Sequence, residues 1–143
     1  MTARPCHEAF IYDGTDEFVR GIAAFARDAQ RANEPIMIMV CGTKLAMLRE
    51  ELGADDVGVR FADIGSVGTN PARLIPMWLD FIAAARGRPS RGVGEPIWPE
   101  RRGAELVEAQ HHEALVNHAL DPADPVWLVC PYDAGALDDT VVA

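Results

Sequence analysis

Ile36–Cys41 runs Ile-Met-Ile-Met-Val-Cys, apolar at every position and without alternation. Such a run fits a central strand of a parallel sheet, where helices cover both faces and no side chain meets water. Even with Pro35 included it is far short of the ~18 residues that cross a bilayer. A chain that holds a doubly buried strand has to bring helices to both sides of it, and the flanking sequence provides them.

Ala9–Tyr12 predicts a short buried strand ahead of the turn Asp13-Gly14-Thr15. Thr15 or Asp13 is expected to cap the next helix, with Asp16 and Glu17 at its positive end. Phe18, Ile22, Phe25 and Ala29 mark that helix's buried stripe, running to about Ala32. After the central strand, Gly42-Thr43 turns into a helix over Lys44–Leu52 with Leu45, Leu48 and Leu52 inward. Val59–Ile64 is a third strand, and Asn70-Pro71 opens a helix carrying Leu74, Ile75, Trp78, Phe81 and Ile82. Arg91–Ile97 is a fourth strand, 103–120 a helix and Val126–Cys130 a fifth strand. Leu137-Asp138-Asp139 begins a further helix that the chain end cuts short, as expected if these residues are the N-terminal piece of a longer protein. The alternation specifies an α/β fold: three layers, a mainly parallel sheet, one domain over residues 1–143.

The helix over 103–120 carries an anomaly. Gln110, Glu113 and Asn117, spaced i, i+3, i+7, project into its apolar stripe rather than away from it. Polar groups placed there need partners, because burying one unpaired costs roughly 1–3 kcal/mol. They either lock the helix to a strand end or line a pocket, and both uses are common. A buried carboxyl such as Glu113 has its pKa raised unless a cation is near; Arg91, Arg101 and Arg102 are the candidates.

In a parallel sheet the strand carboxyl ends converge on one rim, where ligands bind. The residues just past the expected strands are Asp13, Gly14, Cys41-Gly42-Thr43, Gly65-Ser66, Glu95, Trp98, Tyr132 and Asp133. Turn and cap chemistry accounts for the glycines and Thr43; Glu95 and Trp98 suit a small-molecule pocket better. The expected enzyme signatures are missing. Cys41-Gly42-Thr43-Lys44 is not a phosphate loop, since no glycine precedes Gly42 at the right distance and the lysine follows the threonine. Ser66 and Ser90, the two serines, lie in no nucleophile elbow. His111, His112 and His118 lack clean metal spacing and fall on or beside the solvent face of their helix, so no metal or cofactor is expected. Cys6, Cys41 and Cys130 are too far apart and too few to form a disulfide framework, and nothing around them in sequence marks a lowered thiol pKa. The net charge of −9 argues against direct nucleic-acid binding, and no leader or membrane segment is visible, so a cytoplasmic setting is expected.

Several segments together resemble a known family. His7-Glu8-Ala9-Phe10-Ile11-Tyr12, Asn33-Glu34-Pro35-Ile36, Val59-Arg60-Phe61-Ala62-Asp63, Asn70-Pro71, Arg91–Pro99, His112-Glu113-Ala114-Leu115-Val116-Asn117 and Cys130-Pro131-Tyr132-Asp133 are similar to the MEDS sensory domain of methanogen and methylotroph regulators. The likeness is nearest to the actinobacterial form that precedes a histidine-kinase-like ATPase domain in anti-sigma-factor regulators of the RsbA type. The resemblance implies a RecA- or KaiC-like core without its phosphate loop, used for sensing and not for catalysis. By motif it adds His7, Tyr12 and His112 to Glu95, Trp98, Gln110, Glu113, Asn117, Tyr132 and Asp133 as ligand-binding positions. It implies as partners a small-molecule ligand, a C-terminal ATPase module and a sigma factor or anti-anti-sigma protein, and it admits a homodimer. Two other readings stand beside it: an interaction module with no small ligand, and a degenerate nucleotide-binding domain.

Overall fold

The computed structural model describes residues 6–56, 58–64, 74–95 and 125–134. Five strands form one sheet: β1 (Cys6–Tyr12), β2 (Ile36–Val40), β3 (Val59–Asp63), β4 (Ser90–Gly94) and β5 (Val126–Asp133). Three α-helices are described between them: α1 (Thr15–Arg31), α2 (Gly42–Leu52) and α3 (Leu74–Ala84). The strand order is β1-β5-β4-β2-β3 and every pairing is parallel. Gly53–Asp56 adds one 3-10 turn after α2.

β2 is buried at all five positions, and its side chains divide between two cores. Ile36, Ile38 and Val40 pack with Phe18, Ile22, Ala26 and Ala29 of α1 and Leu45, Leu48 and Leu52 of α2. Met37 and Met39 face the other way, into Trp78, Phe81 and Ile82 of α3 with Val126 and Leu128 of β5. The result is three layers, α1 and α2 on one face and α3 on the other. The crossovers explain this division. The steps from β1 to β2 and from β2 to β3 run the same way across the sheet, whereas β3 to β4 runs back. A right-handed crossover must therefore put α3 on the opposite face from α1 and α2.

Close approach between α3 and the sheet depends on the glycines of β4. A Cβ on Gly92 would lie 2.5 Å from Trp78 Cζ3 and 2.6 Å from Leu128 Cδ2, and one on Gly94 2.8 Å from Trp78 Cζ2. The indole occupies the volume that side chains of β4 would otherwise fill.

At the amino ends of the strands, Arg91 is buried between two aromatic rings. Its guanidinium carbon lies 5.1 Å from the Phe25 ring centre and 5.0 Å from that of Trp127. It is ion-paired to Asp28 at 2.7 Å and to Glu34 at 2.8 Å. Burial works against the Arg91 charge, and its hydrogen bonds to Glu34 and Asp28 outweigh that. The same hydrogen bond, then the charge of Arg91, holds the Asp28 carboxyl below its usual range. Arg91 is thus committed at the end of the sheet opposite the rim, which removes it as a cation for the rim; Arg101 and Arg102 lie outside the described residues.

Several boundaries differ from the expected ones. β1 begins at Cys6 instead of Ala9, and β5 continues through Tyr132 and Asp133, because the two strands pair along their whole length from Cys6–Trp127 to Tyr12–Asp133. β4 ends at Gly94. Neither Thr15 nor Asp13 caps α1 by its side chain; Gly14 occupies the cap position, and the Glu17 carboxylate accepts the Asp13 N–H at 3.2 Å. Phe25 is only partly buried, and Ala23 and Ala26 do more of the packing. The helix expected at 103–120, the stub at Leu137 and the helix start at Asn70-Pro71 lie outside the described residues.

Gly92→Ala should destabilise the fold by about 1–3 kcal/mol through overpacking against Trp78 and Leu128, read as a lower urea midpoint with an unchanged slope. The Asp28–Arg91 pair predicts an acid dependence as well. Because the native pKa of Asp28 is depressed, its contribution is whole above about pH 4 and is lost as the pH falls through the native value. Urea midpoints of the wild type and Asp28→Asn should differ at pH 6 and converge towards pH 2.

Candidate functional site

All five strands are parallel, so their carboxyl ends share one rim, and the described residues put a polar cluster there. Tyr12 is the last residue of β1, Glu95 follows β4, and Lys44 lies in the first turn of α2 directly after β2. Strand alternation places Tyr12 and Glu95 on the face covered by α1 and α2, and the Glu95 N–H donates to the Met39 carbonyl at 3.0 Å. β4 thus continues its pairing with β2 one residue past the strand. That bond fixes the carboxylate in position.

The three side chains converge. Lys44 Nζ donates to Glu95 Oε2 at 2.5 Å and to the Tyr12 hydroxyl at 2.6 Å. The Tyr12 hydroxyl donates to the same Glu95 oxygen at 2.9 Å. Glu95 and Tyr12 are buried, and the Lys44 side chain is 13% exposed. The ammonium also lies 5.3 Å from the Tyr12 ring centre and 5.2 Å from that of Phe18. Phe18 packs on Tyr12 with 5.0 Å between ring centres. A charge pair buried to this depth is sustained by direct contact and by aromatic faces that accept a cation.

A second acid borders the cluster. Asp63 ends β3 at the start of α2, so close that a Cβ on Gly42 would lie 2.8 Å from its Oδ2. Glycine at 42 permits this approach, and a carboxylate there complements the positive end of α2. No group of three or more His, Cys, Asp or Glu side chains able to hold a metal occurs among the described residues.

The expected positions fare differently. Glu95, expected at the rim, and Tyr12, added by the resemblance, are hydrogen-bonded to each other. Asp133 ends β5 in register with Tyr12. Tyr132 is half-buried in β5, one residue out of phase with Asp133. His7 sits near the start of β1, away from the rim, where its Nε2 lies 2.9 Å from Cys130 Sγ. Trp98, Gln110, His112, Glu113 and Asn117 lie outside the described residues. Cys130 is buried, whereas Cys41 is half-buried. Lys44 is the residue that sequence reasoning missed, because the phosphate-loop template discards a lysine standing after the threonine. The signal was nevertheless present: Lys44 is the one lysine beside twelve arginines, and it opens a helix directly after the doubly buried strand.

A family model described as MEDS, MEthanogen/methylotroph, DcmR Sensory domain, matches residues 6–143. The chain belongs to the MEDS family. MEDS is a sensory domain family, so the role of this domain is sensory or regulatory, as the resemblance implied. No curated protein matches the chain. No helix among the described residues is long and apolar enough to cross a membrane.

Glu95→Ala should be strongly destabilising, by about 3–5 kcal/mol, because it leaves the Lys44 ammonium in its enclosed site without its counter-charge. Lys44→Met combined with Glu95→Gln removes both charges and should recover a large part of that loss. A double-mutant cycle on urea unfolding measures the coupling, which a merely adjacent pair would not show.

Proposed function

We propose that this MEDS domain is a non-catalytic sensor that binds a small molecule or a partner at the carboxyl-end rim of its sheet, and that binding acts through the Glu95–Lys44 pair. The observation that carries this reading is the placement of that pair. It joins β4, α2 and, through Tyr12, β1, at the edge where parallel sheets hold ligands. A ligand group that competes for the ammonium or the carboxylate would weaken the bond between α2 and the sheet. The equilibrium between two arrangements would then shift by the ligand's differential affinity for them.

The lack of a phosphate loop in sequence supports sensing over nucleotide hydrolysis. On this reading Tyr12, Glu95 and Lys44 form the described part of the ligand site. Asp133, Trp98, Gln110, His112, Glu113 and Asn117 are the further positions proposed to complete it. By the resemblance to anti-sigma-factor regulators of the RsbA type, the change would pass to an attached histidine-kinase-like ATPase module in the cytoplasm, and so to a sigma factor or an anti-anti-sigma protein.

Two measurements test the reading. ATP with magnesium should leave the thermal unfolding curve in place; a ligand present at 100 times its Kd would add about 2.7 kcal/mol, and such a shift would favour the degenerate nucleotide-binding domain. In an amide-correlation NMR screen of small polar and apolar fragments, hits should perturb Tyr12, Lys44 and Glu95 in preference to Asp28 and Arg91. Lys44→Met should abolish those perturbations. Hits confined to the amino-end surface would overturn the assignment of the rim.

A further inference from the structure

The three cysteines have three different neighbours. Cys6 donates its thiol to Glu8 Oε1 at 3.1 Å, and burial followed by Glu8 pushes its pKa up, so it is held as a neutral thiol. Cys41 lies 3.6 Å from the Thr43 hydroxyl. Cys130, the most enclosed of the three at 8% exposed, instead meets an imidazole, with 2.9 Å between its Sγ and His7 Nε2. Parallel pairing holds the two together: Ala9 stands opposite Cys130 and His7 opposite Leu128, so the imidazole and the thiol are diagonal neighbours on one face of β1 and β5.

We propose that His7 and Cys130 form a base–nucleophile pair, which makes Cys130 the reactive thiol of this chain towards small, uncharged α,β-unsaturated carbonyl compounds. An imidazole in hydrogen-bond contact is the neighbour that activates a thiol, because it takes the proton and then stabilises the thiolate as a cation. In the step, the Cys130 S–H proton passes to His7 Nε2. The sulfur pair forms an S–C bond at the β-carbon, and the π electrons move to the α-carbon. That carbon takes the proton back from the His7 imidazolium, so atoms and charge balance with no leaving group.

Access comes from the edge of the sheet. β1 is an outer strand, and Ala9 and Ile11, which share the face of His7, are exposed, Ile11 to 45%. They give a small apolar reagent a surface beside the thiol. Among the described residues the other titratable side chain on that face of β1 and β5 is Tyr132. β4 turns Ser90, Gly92 and Gly94 towards it, and α3 packs Trp78, Phe81 and Ile82 there. The proposal is independent of the rim reading, since the pair lies on the face of the sheet opposite Tyr12 and Glu95.

The test is acrylamide labelling of the 143-residue chain at pH 6 and pH 9, with a free cysteine peptide in the same tube and each site quantified by peptide mass spectrometry. A free thiol, with a pKa of about 8.5, is almost wholly protonated at pH 6, whereas an imidazole-paired thiol is ionised to a much greater extent. The labelling of Cys130 relative to the peptide should therefore be about tenfold or more higher at pH 6 than at pH 9. The ratio cancels both burial and intrinsic nucleophilicity. Cys6 should not show this rise, and His7→Gln should flatten it at Cys130. A wild-type ratio that does not change with pH, or one that changes equally in His7→Gln, overturns the proposal. If His7→Gln fails to fold, NMR titration of His7 decides. Its pKa should be higher in the wild type than in Cys130→Ser, because the thiolate favours the imidazolium, and equal values would refute the pair.

Discussion

The rest of the structure depends on β2 being apolar on both faces. A strand with no polar side has to be covered twice, and in a parallel sheet the covers are the crossover helices themselves. α1 and α2 close one face with Phe18, Ile22, Leu45 and Leu48, and α3 closes the other with Trp78, Phe81 and Ile82. Right-handed crossovers then leave little choice in the winding. With every strand pointing the same way, their carboxyl ends gather at one rim and their amino ends at the other.

Each rim carries a cation, Arg91 buried and Lys44 half-buried, and the two are used differently. At the amino end Arg91 is clamped by Asp28, Glu34 and two aromatic rings, an arrangement that suits a planar guanidinium and ties α1 to β4. At the carboxyl end the cation is Lys44, a compact ammonium on a flexible stem, held by one carboxylate oxygen and a phenol. The first is a structural clamp between elements already packed together. The second joins the start of a helix to the ends of two strands, and on the proposed reading its partners exchange for groups of a ligand.

The two proposed sites use opposite faces of β1. Tyr12 turns towards α1 and takes part in the rim, whereas His7, five residues earlier, turns the other way and meets Cys130. Both placements follow from the two-residue period of a strand. Sequence reasoning treated His7 and Tyr12 as members of one motif. The structure separates them into two environments, one charged and one built around a thiol.

The architecture was legible in sequence because it rests on local, periodic signals: the unbroken apolar run of β2, the stripes of α1 and α2, and the Gly and Pro residues between them. Tyr12 ends its expected strand, a one-dimensional property, and Glu95 was expected at the rim although β4 stops at Gly94 and not at Ile97. The extra length of β1 and β5 was not legible, because Cys6 and His7 become strand by pairing with Trp127 and Leu128, and Tyr132 and Asp133 by pairing with Ile11 and Tyr12, partners far away in the chain, not by their own propensity. Nor were the partners. That Lys44 neutralises Glu95, that Arg91 is committed to Asp28 and Glu34, and that Cys130 meets His7 depend on strand order and on which face each residue takes. The sequence by itself determined what kind of layers this chain must form and in which segments its strands lie. Only the tertiary structure decided which charges and which thiol meet, because such contacts join residues far apart in the chain and no periodicity encodes them.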